Sequence, residues 1–84
     1  MSLKILYFAS LRETLGSSGE EIPLPEGVAT VAALRDHLAR RGGNWQRLVE
    51  SKSLRSAVNQ NMAGMDAAIQ DGDEIAFFPP VTGG

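Results

Sequence analysis

The feature that most restricts the fold is that one long segment of the 84-residue chain has a sustained helical period. Val31, Leu34 and Leu38 recur at helical spacing along one stripe. Thr30 is a favourable N-cap before them, and Gly42 is a favourable residue just beyond the last turn. These signals predict a main helix over residues 31–41. A chain of this length has room for one hydrophobic core, so strands are expected to pack on that helix.

Strand-like segments lie on both sides of this helix. Their residue ranges are 3–9, 20–24, 54–59, 62–63 and 74–78. Pro23 indicates that the second strand lies at an edge of the sheet, because proline cannot donate to the ladder. This order of elements predicts an α+β fold in which a mixed sheet packs one face on the main helix. A parallel pairing of the first and last strands is expected.

Two short helical segments are also predicted. Ser10 and Glu13 match a capping box, and Gly16 is placed to end that turn. A second short helix is predicted over residues 44–50, capped by its first residue. Its buried side chains are expected to be Trp45, Leu48 and Val49.

The alternation of side chains leaves one face of the predicted sheet uncovered. If the helix side takes Leu3, Ile5, Tyr7, Ile75 and Phe77, the open side takes Leu6, Phe8, Ala76 and Phe78. Two phenylalanines on an open face form an apolar patch. The sequence therefore predicts that a protein partner covers this face.

Composition excludes several classes of function. With 10 acidic and 8 basic residues interspersed, the chain offers no basic stripe for nucleic acid or an anionic membrane. It contains no cysteine, which excludes disulfides, thiolate metal sites and a cysteine nucleophile. The first apolar stretch is short and interrupted by Lys4, unlike a signal peptide, and no apolar run could span a bilayer, so a cytoplasmic location is expected.

The usual catalytic constellations are missing from the sequence. His37 is the single histidine, and its mid-helix position is typical of a helix-surface or boundary residue. Nucleotide-binding glycine motifs and histidine clusters do not occur. We therefore expect neither a bound metal nor a bound cofactor, and no catalysis by the chain alone.

The last residues carry the strongest functional signal. Pro79 and Pro80 lack an N–H and end the strand in an extended conformation, so residues 79–84 are predicted to form a flexible tail of a single domain. Gly83 and Gly84 have no Cβ and fit a narrow channel. The α-carboxylate of Gly84 is unshielded, and adenylation followed by attack of a sulfur nucleophile would convert it to a thiocarboxylate. Such a tail delivers sulfur without a cysteine.

Four segments carry a resemblance to a known family. They are DGDEIAFFPPVTGG at 71–84, KILYFASLRETLG at 4–16, TVAALRDHLA at 30–39 and AVNQ at 57–60. Together they resemble the small, sulfur-carrying subunit of molybdopterin synthase, in the MoaD/ThiS-type ubiquitin-like family. The resemblance implies a β-grasp fold, which agrees with the predicted order of elements.

The resemblance also implies a reaction cycle and its partners. An adenylyltransferase that uses ATP activates Gly84, and a sulfurtransferase or cysteine desulfurase system converts it to the thiocarboxylate. The tail then enters the large synthase subunit, in a heterotetramer, where sulfur passes to cyclic pyranopterin monophosphate and builds the molybdopterin dithiolene. Gly83 permits entry into the channel. The implied contacts with the large subunit are Phe8, Met62, Phe78, Pro79, Pro80, Val81 and Thr82.

Two related functions remain as alternatives. A carrier of sulfur for the thiazole of thiamin shares the β-grasp fold and the Gly-Gly end. The segment 42–52 and the FFPPV spacer favour the molybdopterin branch over that shorter relative. A protein modifier of the ubiquitin type is the other alternative, and it is disfavoured because no arginine precedes Gly83-Gly84.

Overall fold

A computed structural model of the chain describes residues 2–51 and 53–79. The strands are β1 Leu3–Tyr7, β2 Gly19–Ile22, β3 Arg55–Val58, β4 Asn61–Ala63 and β5 Glu74–Phe78. The helices are α1 Ser10–Leu15, α2 Val31–Ala39 and α3 Arg47–Glu50, with a 3-10 turn at Gly43–Gln46 before α3. These elements follow one another in the order that the sequence predicts.

The described strands form one mixed sheet in the order β2-β1-β5-β3-β4. Strands β1 and β5 are parallel, as predicted, and the other neighbours are antiparallel. Tyr7 lies opposite Phe77 in the parallel ladder, so the chain leaves β1 and β5 at the same end of the sheet. Strand β2 is at an edge, as predicted, but it ends at Ile22, so Pro23 lies just beyond it.

The core lies between the sheet and α2. Leu3, Ile5 and Tyr7 of β1 and Ile75 and Phe77 of β5 are all buried, as alternation predicts. They pack against the buried stripe of α2, which consists of Val31, Leu34 and Leu38. Full burial of an aliphatic side chain of this size stabilises the fold by about 1.5–3 kcal/mol. The alternating residues of the strands and the helical stripe of α2 are therefore buried in the same core.

The start of α2 is fixed by its cap and by a distant loop. The Thr30 side chain accepts a 3.1 Å hydrogen bond from the Ala33 amide, which confirms the predicted N-cap. The amides of Val31 and Ala32 donate to the carbonyls of Ala67 and Met65. The loop before β5 thus satisfies amides that a helix start otherwise leaves without partners.

Three local predictions are wrong. Asn44 does not cap the second short helix, because the 3-10 turn begins one residue earlier with Gly42 at its N-cap position, and no side chain caps that turn or α3. The capping box at Ser10 does not form: the N-cap position of α1 is Ala9, no side chain caps this helix, and Ser10 is its first helical residue. Gly16 does end α1, in the left-handed conformation at φ 69°. Val49 is exposed rather than buried, because the single turn of α3 directs only Leu48 into the core.

Candidate functional site

The sheet face opposite α2 is apolar through its centre. Strand register places Leu6 beside Ala76, Ala76 beside Ala57, and Ala57 beside Met62. Phe8 and Phe78 lie at the end of the sheet where the chain leaves β1 and β5. We call these side chains the open-face patch: Leu6, Phe8, Ala57, Met62, Ala76 and Phe78. Four neighbouring strands contribute to it, so it depends on the whole sheet.

The large side chains of the open-face patch are the ones most accessible to a partner. Met62 is 66% exposed and Phe8 is 46% exposed, whereas Phe78 is half-buried. The Phe8 amide donates a 3.1 Å hydrogen bond to the Phe77 carbonyl and so continues the β1–β5 ladder by one step. The structure therefore brings Phe8, Met62 and Phe78 to one face, as the resemblance implies, while their role in docking stays a prediction.

The predicted tail begins at this same end of the sheet. Pro79 is half-buried and follows directly after β5. The remaining predicted site residues, namely Pro80, Val81, Thr82, Gly83 and Gly84, lie outside the described residues. The structure shows where the tail begins, which is at the end of β5 next to Phe8 and Phe78.

A polar cluster lies behind this end of the sheet, on the helix side. The Tyr7 hydroxyl donates a 2.9 Å hydrogen bond to Glu20, and Arg41 binds both oxygens of the same carboxylate at 2.8 Å. The Arg41 guanidinium stacks on Trp45 with its Cζ 4.5 Å from the ring centroid. Tyr7 also meets Trp45 edge to face, with centroids 5.4 Å apart.

The electrostatics of this cluster follow from its geometry. Hydrogen bonding from Arg41 holds the pKa of Glu20 below its ordinary value, although partial burial opposes the shift. Burial, and then the hydrogen bond to Glu20, raises the pKa of Tyr7. Hydrogen bonding to Glu20 also raises the pKa of Arg41. Sequence reasoning missed this cluster because Glu20 and Arg41 are 21 residues apart and no local pattern joins them.

A depression of about 310 Å³ lies beside the edge strand β4. Arg55, Met62 and Met65 line it together with the short loop that follows β4. Since Met62 also belongs to the open-face patch, the depression is a lateral extension of that patch.

The single histidine does not belong to the open-face patch. His37 is half-buried on α2, in the layer opposite the open-face patch. In the ranges that the structure describes, no three histidine, aspartate or glutamate side chains converge as metal ligands. No helix within these ranges has the length and apolarity needed to cross a membrane.

The mixed sheet packed on one main helix defines a ubiquitin-like β-grasp protein, as predicted. The chain belongs to the ThiS family, whose model matches residues 5–84. It is 45% identical to the molybdopterin synthase sulfur carrier subunit of Haemophilus influenzae, over 98% of this chain and 99% of that protein. The corresponding subunit of Escherichia coli is 44% identical with the same coverage. These matches confirm the family that the sequence segments indicated.

Two further similarities widen the comparison. A solved structure from Pyrococcus furiosus, described as a putative molybdopterin converting factor subunit 1, has a TM-score of 0.76 and 31% identity. The match covers 96% of this chain and 99% of the Pyrococcus furiosus chain. Small archaeal modifier protein 3 of Haloferax volcanii is 30% identical over the full length of both chains. The fold is thus shared by relatives named as sulfur carriers and by one named as a protein modifier.

Proposed function

We propose that this chain is the sulfur carrier subunit of a molybdopterin synthase. Gly84 is adenylated, converted to a thiocarboxylate, and donates its sulfur to cyclic pyranopterin monophosphate; two such transfers supply the two sulfurs of the dithiolene. The observation that carries this proposal is the position of the open-face patch. Phe8 and Phe78 lie where the chain leaves β5, so a subunit that covers the patch meets the start of the tail.

The chemistry requires two partners and little catalysis from the chain itself. A carboxylate is a poor electrophile, so an adenylyltransferase first joins the Gly84 carboxylate to AMP from ATP and releases pyrophosphate. Sulfur at the oxidation level of hydrosulfide, supplied by a sulfurtransferase system, then attacks the acyl carbon, and AMP leaves with the C–O bond electrons. The resulting C-terminal thiocarboxylate needs neither a cysteine nor a metal in the carrier.

The large synthase subunit is the proposed receiver of the charged tail. The open-face patch contributes apolar area to that contact, and its two most exposed side chains, Met62 and Phe8, are expected to contribute most. Pro79 starts the tail at this surface, and Gly83 and Gly84 are the last two residues of that tail in the sequence. The chain is therefore the sulfur-donating subunit of a sulfurtransferase complex.

Intact mass spectrometry tests the proposal directly. The chain is incubated with its adenylyltransferase, ATP and a sulfur source, and a mass gain corresponding to sulfur in place of one oxygen is expected. Peptide mapping should place the change at Gly84. An unchanged mass, when the same enzymes sulfurate a relative of this family, would contradict the proposal.

A second candidate function is protein modification. It is favoured by the full-length similarity to small archaeal modifier protein 3. In that case, Gly84 would form isopeptide bonds with lysines of other proteins. Lysine conjugates that depend on Gly84 in the native host would support this alternative, whereas a free chain carrying only sulfur supports the carrier.

A further inference from the structure

We propose that Arg55 anchors docking electrostatically: its guanidinium binds a carboxylate side chain of the large synthase subunit when that subunit covers the open-face patch. The inference rests on the proposed function, because it takes the large subunit as the partner. It adds one oriented polar contact to the open-face patch, whose six side chains are all apolar. Such a contact fixes the orientation of docking, which apolar area alone does not do.

Strand pairing places Arg55 at the end of the sheet where the chain leaves β5. Arg55 is the first residue of β3 and lies directly opposite Phe78 in the β3–β5 ladder. Because paired residues share a face, its side chain projects on the same side as Phe78 and Ala57. The guanidinium is therefore next to the point at which the chain leaves β5.

Arg55 has no acidic partner within residues 2–51 and 53–79. Its side chain is exposed and forms no hydrogen bond or ion pair there, whereas Arg41 and Arg35 bind Glu20 and Asp36. A subunit that covers Phe78 would also remove water from Arg55. Burial of an unpaired charge is strongly unfavourable, so a partner that fits this surface has to supply an acceptor. The planar guanidinium matches a carboxylate through two parallel hydrogen bonds.

The remaining charges of this face agree with a carboxylate at that point. At the far end of the strands, Lys4 lies between Glu21 and Glu74 in register. At the tail end, Arg55 lies in the same row as two phenylalanines, Phe8 and Phe78. Arg55 thus gives this row of side chains a positive charge, and a complementary subunit presents an acidic group to it.

The depression beside β4 indicates how such a side chain would lie. Arg55 lines it together with Met62 and Met65, whose side chains are flexible and polarisable. An aspartate or glutamate fits this combination, because its short apolar stem contacts the methionines while its carboxylate reaches Arg55. We therefore expect the partner residue to be acidic rather than an amide or a phosphate.

The test compares charge-matched variants of the full chain in binding to the large synthase subunit. Arg55→Gln is expected to weaken the affinity about tenfold, which corresponds to about 1.4 kcal/mol. Arg40→Gln is the control, because Arg40 is an exposed arginine that directly follows α2 in the opposite layer and its loss changes the net charge equally. It is expected to bind like the wild type. Arg55→Lys should retain part of the affinity, since it keeps the charge without the planar fork.

Salt dependence supplies the second measurement. Raising salt from about 50 mM to about 300 mM should weaken the affinity of the wild type for the large subunit more than that of Arg55→Gln, because screening affects a charge pair only where one exists.

Equal affinities for Arg55→Gln and the wild type would overturn the inference and leave the sulfur carrier function standing. If the wild type gained sulfur but sedimented as a dimer that Arg55→Gln dissociates, the occupant would be a second copy, which also overturns it. Failure of the wild type to bind the large subunit would overturn both proposals.

Discussion

The Tyr7 hydroxyl and the Arg41 guanidinium bind the same oxygen of Glu20, at 2.9 Å and 2.8 Å. This shared acceptor joins the end of β1 to the edge strand β2 and to the segment after α2. Glu20 therefore ties together three elements on the helix side of the sheet. Because the cluster is on the helix side of the sheet, it leaves the open-face patch free for a partner.

The first prediction concerns Glu20 and acid. Glu20→Gln removes the charge of an ion pair that is partly exposed on both sides, so we expect the free energy of unfolding at pH 7 to fall by about 0.5–1 kcal/mol. The folded pKa of Glu20 lies below its ordinary value of 4.5, so the unfolded chain takes up this proton first as the pH falls. The contribution is present above pH 4.5 and is lost as the pH falls toward the folded pKa.

Urea unfolding between about pH 7 and pH 3 tests this prediction. The difference in the free energy of unfolding between wild type and Glu20→Gln should shrink on acidification. Glu21→Gln is the matched control. Its carboxylate accepts a 3.2 Å hydrogen bond from Ser2 and binds no arginine in the described part of the chain. A pH-independent difference for Glu20→Gln would show that the ion pair does not contribute as stated.

The second prediction concerns the backbone at Ala9. Ala9 has φ 56° and ψ −134°, a conformation that favours glycine and costs other residues about 1–3 kcal/mol. Ala9→Gly relieves this strain at an entropic cost of about 0.5–1 kcal/mol, so a net stabilisation of about 1 kcal/mol is expected. The midpoint of urea unfolding should rise. Ala32→Gly, in helix α2, should instead lower the free energy of unfolding by about 1 kcal/mol and so lower the midpoint.

The third prediction concerns close packing at Gly19. A Cβ built on Gly19 would be 2.7 Å from the Ile5 carbonyl oxygen, which belongs to the backbone of β1 and cannot rotate away. Gly19→Ala should therefore push β2 from β1 and destabilise the fold by about 1–3 kcal/mol. Gly64→Ala is the control, because its Cβ would meet only the Asp66 side chain, at 3.0 Å. Similar unfolding midpoints for the two variants would contradict the argument.

Much of the fold is predictable because burial imposes periodicity on the sequence. The period-two alternation of residues 3–7 and the helical stripe of Val31, Leu34 and Leu38 both follow from contact with a single core. The same alternation predicts that Phe8 and Phe78 lie on the open face. Met62 was indicated by the resemblance alone, because β4 has three residues and carries almost no pattern.

The remainder depends on contacts that no local pattern contains. The polar cluster joins Glu20 to Arg41 only after β2 and the end of α2 are packed together. Arg55 lies beside Phe78 only through the pairing of β3 with β5. The sequence wrongly predicts that Val49 is buried, because one helical turn is too short for periodicity to separate its faces. The start of α1 was missed because Ala9 has positive φ, which alanine rarely adopts.

The fourth prediction separates docking from folding. Phe8→Ser should weaken binding to the large synthase subunit at least tenfold, because it removes an exposed aromatic side chain from the open-face patch. Val49→Ser is the matched control: Val49 is 43% exposed against 46% for Phe8, but it lies on α3 in the opposite layer. Both variants should unfold at nearly the wild-type urea concentration. Equal loss of binding for the two would place docking elsewhere.

The fifth prediction concerns the position of the reactive carboxylate. One alanine added after Gly84 moves the terminal carboxylate by about 3.3–3.6 Å and places a Cβ beside it. Folding should be unchanged, because the core ends at Phe77 in β5. Sulfuration and sulfur transfer should both be lost, as judged by intact mass and by product formation with the large subunit. Since the extension leaves Phe8, Met62 and Phe78 unaltered, the extended chain should still bind that subunit and compete with the wild type. Sulfur transfer at the wild-type rate from the extended chain would show that Gly84 does not carry the reacting group.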